Sequence, residues 1–201
     1  MGILETLKKR AQELRDNHEQ ASDRPLDLEA YNRAAVVASL RRVHDFLHDM
    51  VEQLYLLERD ITVDYLLLGV GELSGLTQGG YELYSKTRGE MEVGLCYSLA
   101  SDKEYRFEFD DAEMVKGLEE DLKTCGLIPR VDWSAEGERE HNVLTLKGEI
   151  PISLLFRENF DDASVDLAIA NYMGPGHSEY RLKPDQINEA FLEELGKFVL
   201  R

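Results

Sequence analysis

Apolar side chains recur along residues 34–57 at alternating steps of four and three: Val36, Leu40, Val43, Leu47, Met50, Leu54 and Leu57. That spacing is the a/d seam of a helix packed along one stripe. A second run of the same period, Leu4, Leu7, Ala11, Leu14, His18 and Ala21, precedes it. Between them, Ser22 to Asp27 supplies Pro25, turn formers and an N-cap in Asp27. A short connection makes successive helices antiparallel neighbours, so residues 1–58 are predicted to form a helical hairpin with Leu14 beside Val36 and Leu4 beside Leu47. Met50, Leu54 and Leu57 then overhang the first helix by roughly 15 Å, at about 1.5 Å per residue. They are expected to dock on whatever follows.

After Asp60 the period shortens to that of strands. Ile61–Val70, apolar on both faces through Tyr65-Leu66-Leu67-Leu68, reads as a buried strand. Gly69, Gly71, Gly75, Gly79 and Gly80 read as turns, and Tyr81–Ser85 resumes the extended chain. Met91, Val93, Leu95, Tyr97 and Leu99 then alternate with Glu92, Gly94, Cys96, Ser98 and Ala100. The small-residue side predicts a helix lying close against it. Tyr105, Phe107 and Phe109 continue an antiparallel meander.

Asp110 or Asp111 is placed to cap a helix with the stripe Val115, Leu118, Leu122 and Cys125, ended by Gly126. Four extended segments follow, 128–133, 142–147, 149–157 and 164–172, with Pro151 marking an edge or a bulge. A short strand, 179–182, leads to a last helix from Pro184 carrying Ile187, Phe191, Leu195 and Phe198 on one face. The sum is an α+β chain: a helical hairpin over 1–58 and an acidic, mostly antiparallel sheet domain with two further helices over 59–201. Glu104-Tyr105-Arg106-Phe107 and Glu179-Tyr180-Arg181-Leu182 echo one another, each ahead of an acidic helix. The echo suggests a duplicated meander-plus-helix unit over 61–126 and 127–201.

Charge narrows the function classes. The chain carries 40 Asp and Glu against 23 Lys and Arg, a net −17. Residues 1–60 hold 9 basic and 12 acidic side chains, so the excess acid belongs to the remainder. Such a surface repels phosphate backbones and anionic bilayers, which argues against nucleic acid and membrane as partners and suits a basic protein partner. No run approaches the ~18 apolar residues of a membrane span. Two cysteines without metal spacing are expected as reduced thiols, in keeping with a cytoplasmic location.

Candidate chemistry is sparse. His44, His48 and Glu52 fall at steps of four on one helical face and could ligate a zinc-type metal, although the H-E-x-x-H pattern is incomplete. Packing along the edge of the seam explains them without a metal. The glycine run at Gly69–Gly75 lacks the spacing and the following helix of a dinucleotide site. Cys96 would need His141 or His177 to act as a nucleophile, and it sits inside a strand. No catalytic residue and no cofactor is assigned.

The order of elements, with the low isoelectric point, resembles small acidic secretion chaperones, though with more strands; the resemblance implies a non-enzymatic role. The expected function is therefore that of an adaptor or chaperone-like protein presenting its sheet domain to a protein partner. Self-association as a homodimer is expected through the apolar surplus of the hairpin, above all Phe46, Val51 and Tyr55. The alternative is a small-molecule or metal-assisted enzyme domain with a pocket between sheet and helices.

Overall fold

The computed structural model describes residues 28–57, 61–87, 90–133 and 142–200. Helix α1 (Leu28–Leu57) leads into strands β1 (Ile61–Leu67), β2 (Gly71–Lys86) and β3 (Glu92–Phe109). Helix α2 (Ala112–Thr124), strands β4 (Pro129–Asp132), β5 (Asn142–Asn159), β6 (Ser164–Ala170) and β7 (His177–Leu182), and helix α3 (Glu189–Val199) follow. All the strands join one sheet in the order β1-β2-β3-β5-β6-β7, with β4 beside the first part of β5, and every pairing is antiparallel. The α+β class is as the periodicity predicts.

The seam of α1 finds a different partner from the predicted one. Val36, Leu40, Val43 and Leu47 are fully buried in one core with the apolar side chains of β3, β5 and β6. The helix packs on the inner face of the sheet and on α3. An a/d seam and the stripe of a helix laid on a sheet are the same sequence pattern, so periodicity could not tell them apart. The first helix of the predicted hairpin lies outside the described residues. Leu54 is buried and Met50 packs against the core, as the overhang argument requires. The division at residue 58 therefore crosses a continuous core.

Long-range hydrogen bonds tie α1, the sheet and α3 together. Ser39 Oγ donates to the Pro184 carbonyl at 3.3 Å, and Gln78 Nε2 to the Val199 carbonyl at 2.6 Å. Asp111 caps α2, its carboxylate accepting from the amides of Glu113 and Met114. At the other end Gly126, at φ +78°, gives the left-handed turn the sequence called for. The amide of Gly126 donates to the Lys123 carbonyl and that of Leu127 to the Leu122 carbonyl, closing the helix as a Schellman motif.

Two readings of the middle of the chain need correction. Gly71, Gly75, Gly79 and Gly80 lie within the 16-residue β2, not in turns. The ladder shifts register between Val63 and Tyr65 and between Gly79 and Glu82, and glycine permits such bulges. Likewise the two segments 142–147 and 149–157 are one strand, β5, running through Gly148. A Cβ at Gly148 would lie 2.9 Å from the Ser101 Cβ, so a bare backbone is needed there.

These bends curl the sheet. Past Thr77 the first part of β2 leaves β3 and folds over its inner face, where the Tyr105 hydroxyl donates to the Ser74 carbonyl at 2.7 Å. Gly71 there sits against the Phe107 ring. The turn after β1 reaches α2, with Gly69 beside Leu118, and Gly174 in the β6–β7 loop lies close to the Leu66 carbonyl. Helices α1 and α3 thus fill one end of the inner face, and the β1–β2 tip with α2 fills the other.

Candidate functional site

The register leaves the outer face of the sheet open. Across β2, β3, β5, β6 and β7, residues Glu82, Cys96, Ser153, Ala170 and His177 stand directly opposite one another in one row. The next row is Tyr84, Gly94, Leu155, Ala168 and Glu179, and the one beyond it is Lys86, Glu92, Arg157, Asp166 and Arg181. In the other direction come Ser98 with Pro151, Glu104 with Lys147, and then Arg106, Thr145 and Arg130. Successive residues of a strand point to opposite faces, so these are the partners of the core-facing Val93, Leu95, Tyr97, Ile152 and Leu154.

Small side chains run along the centre of this face, Cys96, Ser98, Ala100, Ser153, Ala168 and Ala170, while the Tyr84 ring lies over Gly94. The sequence predicts a helix close against them. Among the described residues no helix covers them; only the C-terminal loop of α2 touches the face, through Gly126 beside Pro151. That loop fills a notch in the sheet, because β4 pairs with β5 only through residues 143–146 and β6 only through 153–159. Asn171 bridges the notch, its side-chain amide donating to the carbonyls of Cys125 at 2.8 Å and Pro151 at 3.0 Å. The Pro151 carbonyl points into the notch, so its ring nitrogen, which has no hydrogen to donate, falls where no strand would accept one. The predicted edge position of Pro151 is realised inside a central strand.

Four concavities lie along the face. One, of about 390 Å³, is bounded by Ile128, Pro129, Arg130, Thr145, Lys147 and Pro151. It shares Glu104, Lys147 and Glu149 with a second of about 750 Å³ beside Gly75 and Lys103, and Ser98, Gly126 and Pro151 with a third of about 390 Å³ over Cys96 and Ser153. The fourth, of about 400 Å³, lies over Leu155, Ala168 and Arg181. Its rim is held by ion pairs, Arg157 with Glu92 at 3.3 Å and Arg181 with both Asp166 and Asp162. Burial alone would raise the Asp166 carboxyl, but hydrogen bonds from Asn159 and Arg181 bring it below the ordinary carboxylate range.

Nothing on this face is arranged for nucleophilic chemistry. Cys96 and His177 line the same concavity but stand three strands apart, about 14 Å at the usual inter-strand spacing. Burial, and then the charge of Glu82, pushes the Cys96 thiol up; burial and Asp121 do the same at Cys125. Both shifts favour the protonated thiol over the thiolate that nucleophilic chemistry needs. His141 lies outside the described residues.

On α1, the His44 and His48 rings are 6.0 Å apart between centroids, and His48 Nε2 is 3.9 Å from Glu52 Oε1. His44 turns its Nδ1 to Asp45 at 3.2 Å, and the tighter donor group is His48, Asp49 and Glu52, with ligand atoms within 4.8 Å of one another. All three are exposed. The set is chemically competent for a zinc-type ion, and His48 and Glu52 share a shallow concavity with Tyr81, Glu82 and Tyr84 of β2.

Part of the apolar surplus of α1 is engaged within the chain, while Leu28, Tyr31 and Leu56 are exposed. Phe46 lies against Gly196 of α3, Val51 is buried, and Tyr55, 59% exposed, donates its hydroxyl to the Tyr81 carbonyl at 2.5 Å. The residues that sequence reasoning passed over are Arg106, Arg130, Thr145 and Lys147. Each sits unremarkably in its own strand, and only the pairing of β3, β4 and β5 brings them together. Compared with protein-family models, curated sequences and solved structures, the chain matches none of them.

Proposed function

We propose that the chain is a non-enzymatic binding module that takes an extended polypeptide segment of a partner protein along the outer face of its sheet. The observation that supports this most is the row of adjoining concavities on a face with a small-residue floor and no helix over it among the described residues. The stretch of small side chains from Ala100 and Ser98 to Cys96 and Ser153 lets another backbone approach closely there. The raised thiols and the separation of Cys96 from His177 favour binding over catalysis. The acid of the described chain is spread over the helices, as Asp45, Asp49 and Glu52 on α1 and Glu113, Glu119 and Glu120 on α2, and over the strands and loops. The outer face mixes both signs, so its partner need not be basic. Phe46 and Val51 are spent on the chain's own core, whereas Tyr31, Tyr55 and Leu56 of α1 stay exposed, so a role for α1 in self-association would rest on those three.

The test is selection of random peptides displayed on phage against the immobilised protein, with the Ser98→Arg/Ser153→Arg double variant in parallel. Both substitutions are on the outer face and leave the core alone. Peptides enriched on the parent and lost on the variant support the reading. Equal enrichment on both, or none on either, overturns it.

A further inference from the structure

We propose that Arg106, Thr145 and Arg130, with Lys147 beside them, form an oxyanion-binding subsite of the outer face, taking a carboxylate or phosphoryl group of the bound segment. This rests on the binding reading above and names the chemistry the partner brings. The register puts Thr145 between the two arginines, directly opposite Arg106 on β3 and Arg130 on β4. The arginine backbones are thus two strand spacings apart, about 10 Å, and their side chains straddle the threonine. Lys147 is two residues along β5 on the same face, about 7 Å away.

Thr145 is the unusual member. It is 4% exposed, it lines the 390 Å³ concavity, and its hydroxyl is buried without a hydrogen-bond partner. Buried hydroxyls are nearly always paired, so an unpaired one at the floor of a concavity calls for an acceptor from outside. A hydroxyl and two guanidinium forks offer the donors that a planar carboxylate or a phosphoryl group accepts. In a chain of net −17, Arg106 and Lys147 make no ion pair with any described residue, and Arg130 holds only Asp132, at 3.1 Å. Ile128, 87% exposed, and Pro129 give the concavity an apolar wall for the stem of the ligand. Glu104, opposite Lys147, and Glu149 bound the subsite on the side of the Ser101–Glu104 bulge. They set a polarity: the anionic group lies toward β4, and neutral or cationic groups follow toward the centre of the face.

The experiment titrates the full-length, isotope-labelled chain separately with inorganic phosphate and with acetate at constant ionic strength, following backbone amides and arginine Nε–H signals by NMR. The expected result is a saturable shift confined to β4, the facing parts of β3 and β5, and the Arg106 and Arg130 side chains. The anion that saturates at the lower concentration identifies the source. Arg106→Gln and Thr145→Val should each weaken binding at least tenfold, while Lys86→Gln on the same face leaves it unchanged. Arg106 is exposed, so its variant carries the test even if the threonine variant fails to fold. Shifts that do not saturate, that spread over the surface, or that survive in Arg106→Gln overturn the proposal. Peptides that bind the face without an anionic residue, with no response to phosphate or acetate, would remove the subsite and leave the binding face standing.

Discussion

The side chain of Asn171 reaches across the notch in the sheet to the carbonyl of Pro151, at 3.0 Å. Its second donor interaction, to Cys125, fastens the end of α2 at the same point, and its Oδ1 accepts from the Gly176 amide at 3.1 Å. The backbone there is left-handed, at φ +57°, which asparagine tolerates better than most residues. Asn171→Ala is expected to cost about 1–3 kcal/mol, from the loss of two part-buried hydrogen bonds and a left-handed alanine. Asn171→Gly should recover the backbone part alone. Urea unfolding of the three proteins measures both parts; an alanine variant as stable as the parent would remove the bridge from the account.

Phe46 separates the packing found here from the four-helix pairing that the sequence suggested. A Cβ on Gly196 would lie 3.1 Å from the tip of its ring, so the two residues meet face to face between α1 and α3. Phe46→Glu should therefore lower the melting temperature markedly, since a half-buried aromatic contact is exchanged for a desolvated carboxylate. Light scattering alongside the melt is the control. A variant that keeps its stability and halves its mass would place Phe46 between copies instead.

The glycines of the strands should divide by what surrounds them. At Gly148 a Cβ meets the Ser101 Cβ at 2.9 Å and the Ser101 carbonyl at 3.1 Å, so Gly148→Ala forces the β3 bulge outward and should cost about 1–3 kcal/mol. Gly79 has nothing within 4 Å of that position, and Gly79→Ala should be neutral or stabilising by about 0.4–1 kcal/mol. Thermal melts of the two variants read the contrast directly, and equal effects would contradict it.

Alkaline pH should unfold the protein through its buried tyrosines. Burial, reinforced by Cys125 at Tyr65 and by Tyr172 and Tyr81 at Tyr97, holds both phenols above the usual tyrosine range. Folded values above unfolded ones mean stability is intact below about pH 10 and lost as pH rises beyond it, because the unfolded chain ionises first. The loss between pH 8 and pH 11, measured by urea unfolding, should shrink in Tyr97→Phe. A loss of the same size would assign the alkaline sensitivity to other groups.

The local elements were legible in the sequence where one pattern had one meaning. Asp111, the Gly126 cap and the alternation from Met91 to Leu99 each specify a structure by themselves. The seam of α1 was visible as a seam but silent on its partner, because Leu40 looks the same facing a helix or a sheet. The glycines of β2 were misread since a bulge and a turn share a composition. The candidate subsite was invisible for a further reason: Arg106 and Arg130 are separated in sequence by α2, and strand register is a property of pairs.

The order in which the chain is made gives the packing of α1 a kinetic meaning. Its seam is synthesised before everything described that covers it: β2 and β3 come from residues 71–109, and β5, β6 and α3 only from residues 142–199. Ser39 waits for Pro184, and the central pair of β3 with β5, which starts at Phe109 and Asn142, is complete only when Arg157 has been added. Contacts this distant in sequence slow folding, and the four seam positions of α1 reach full burial only when the later strands have joined β2 and β3. The packing of α1 is therefore completed last, when α3 at the far end of the chain is in place.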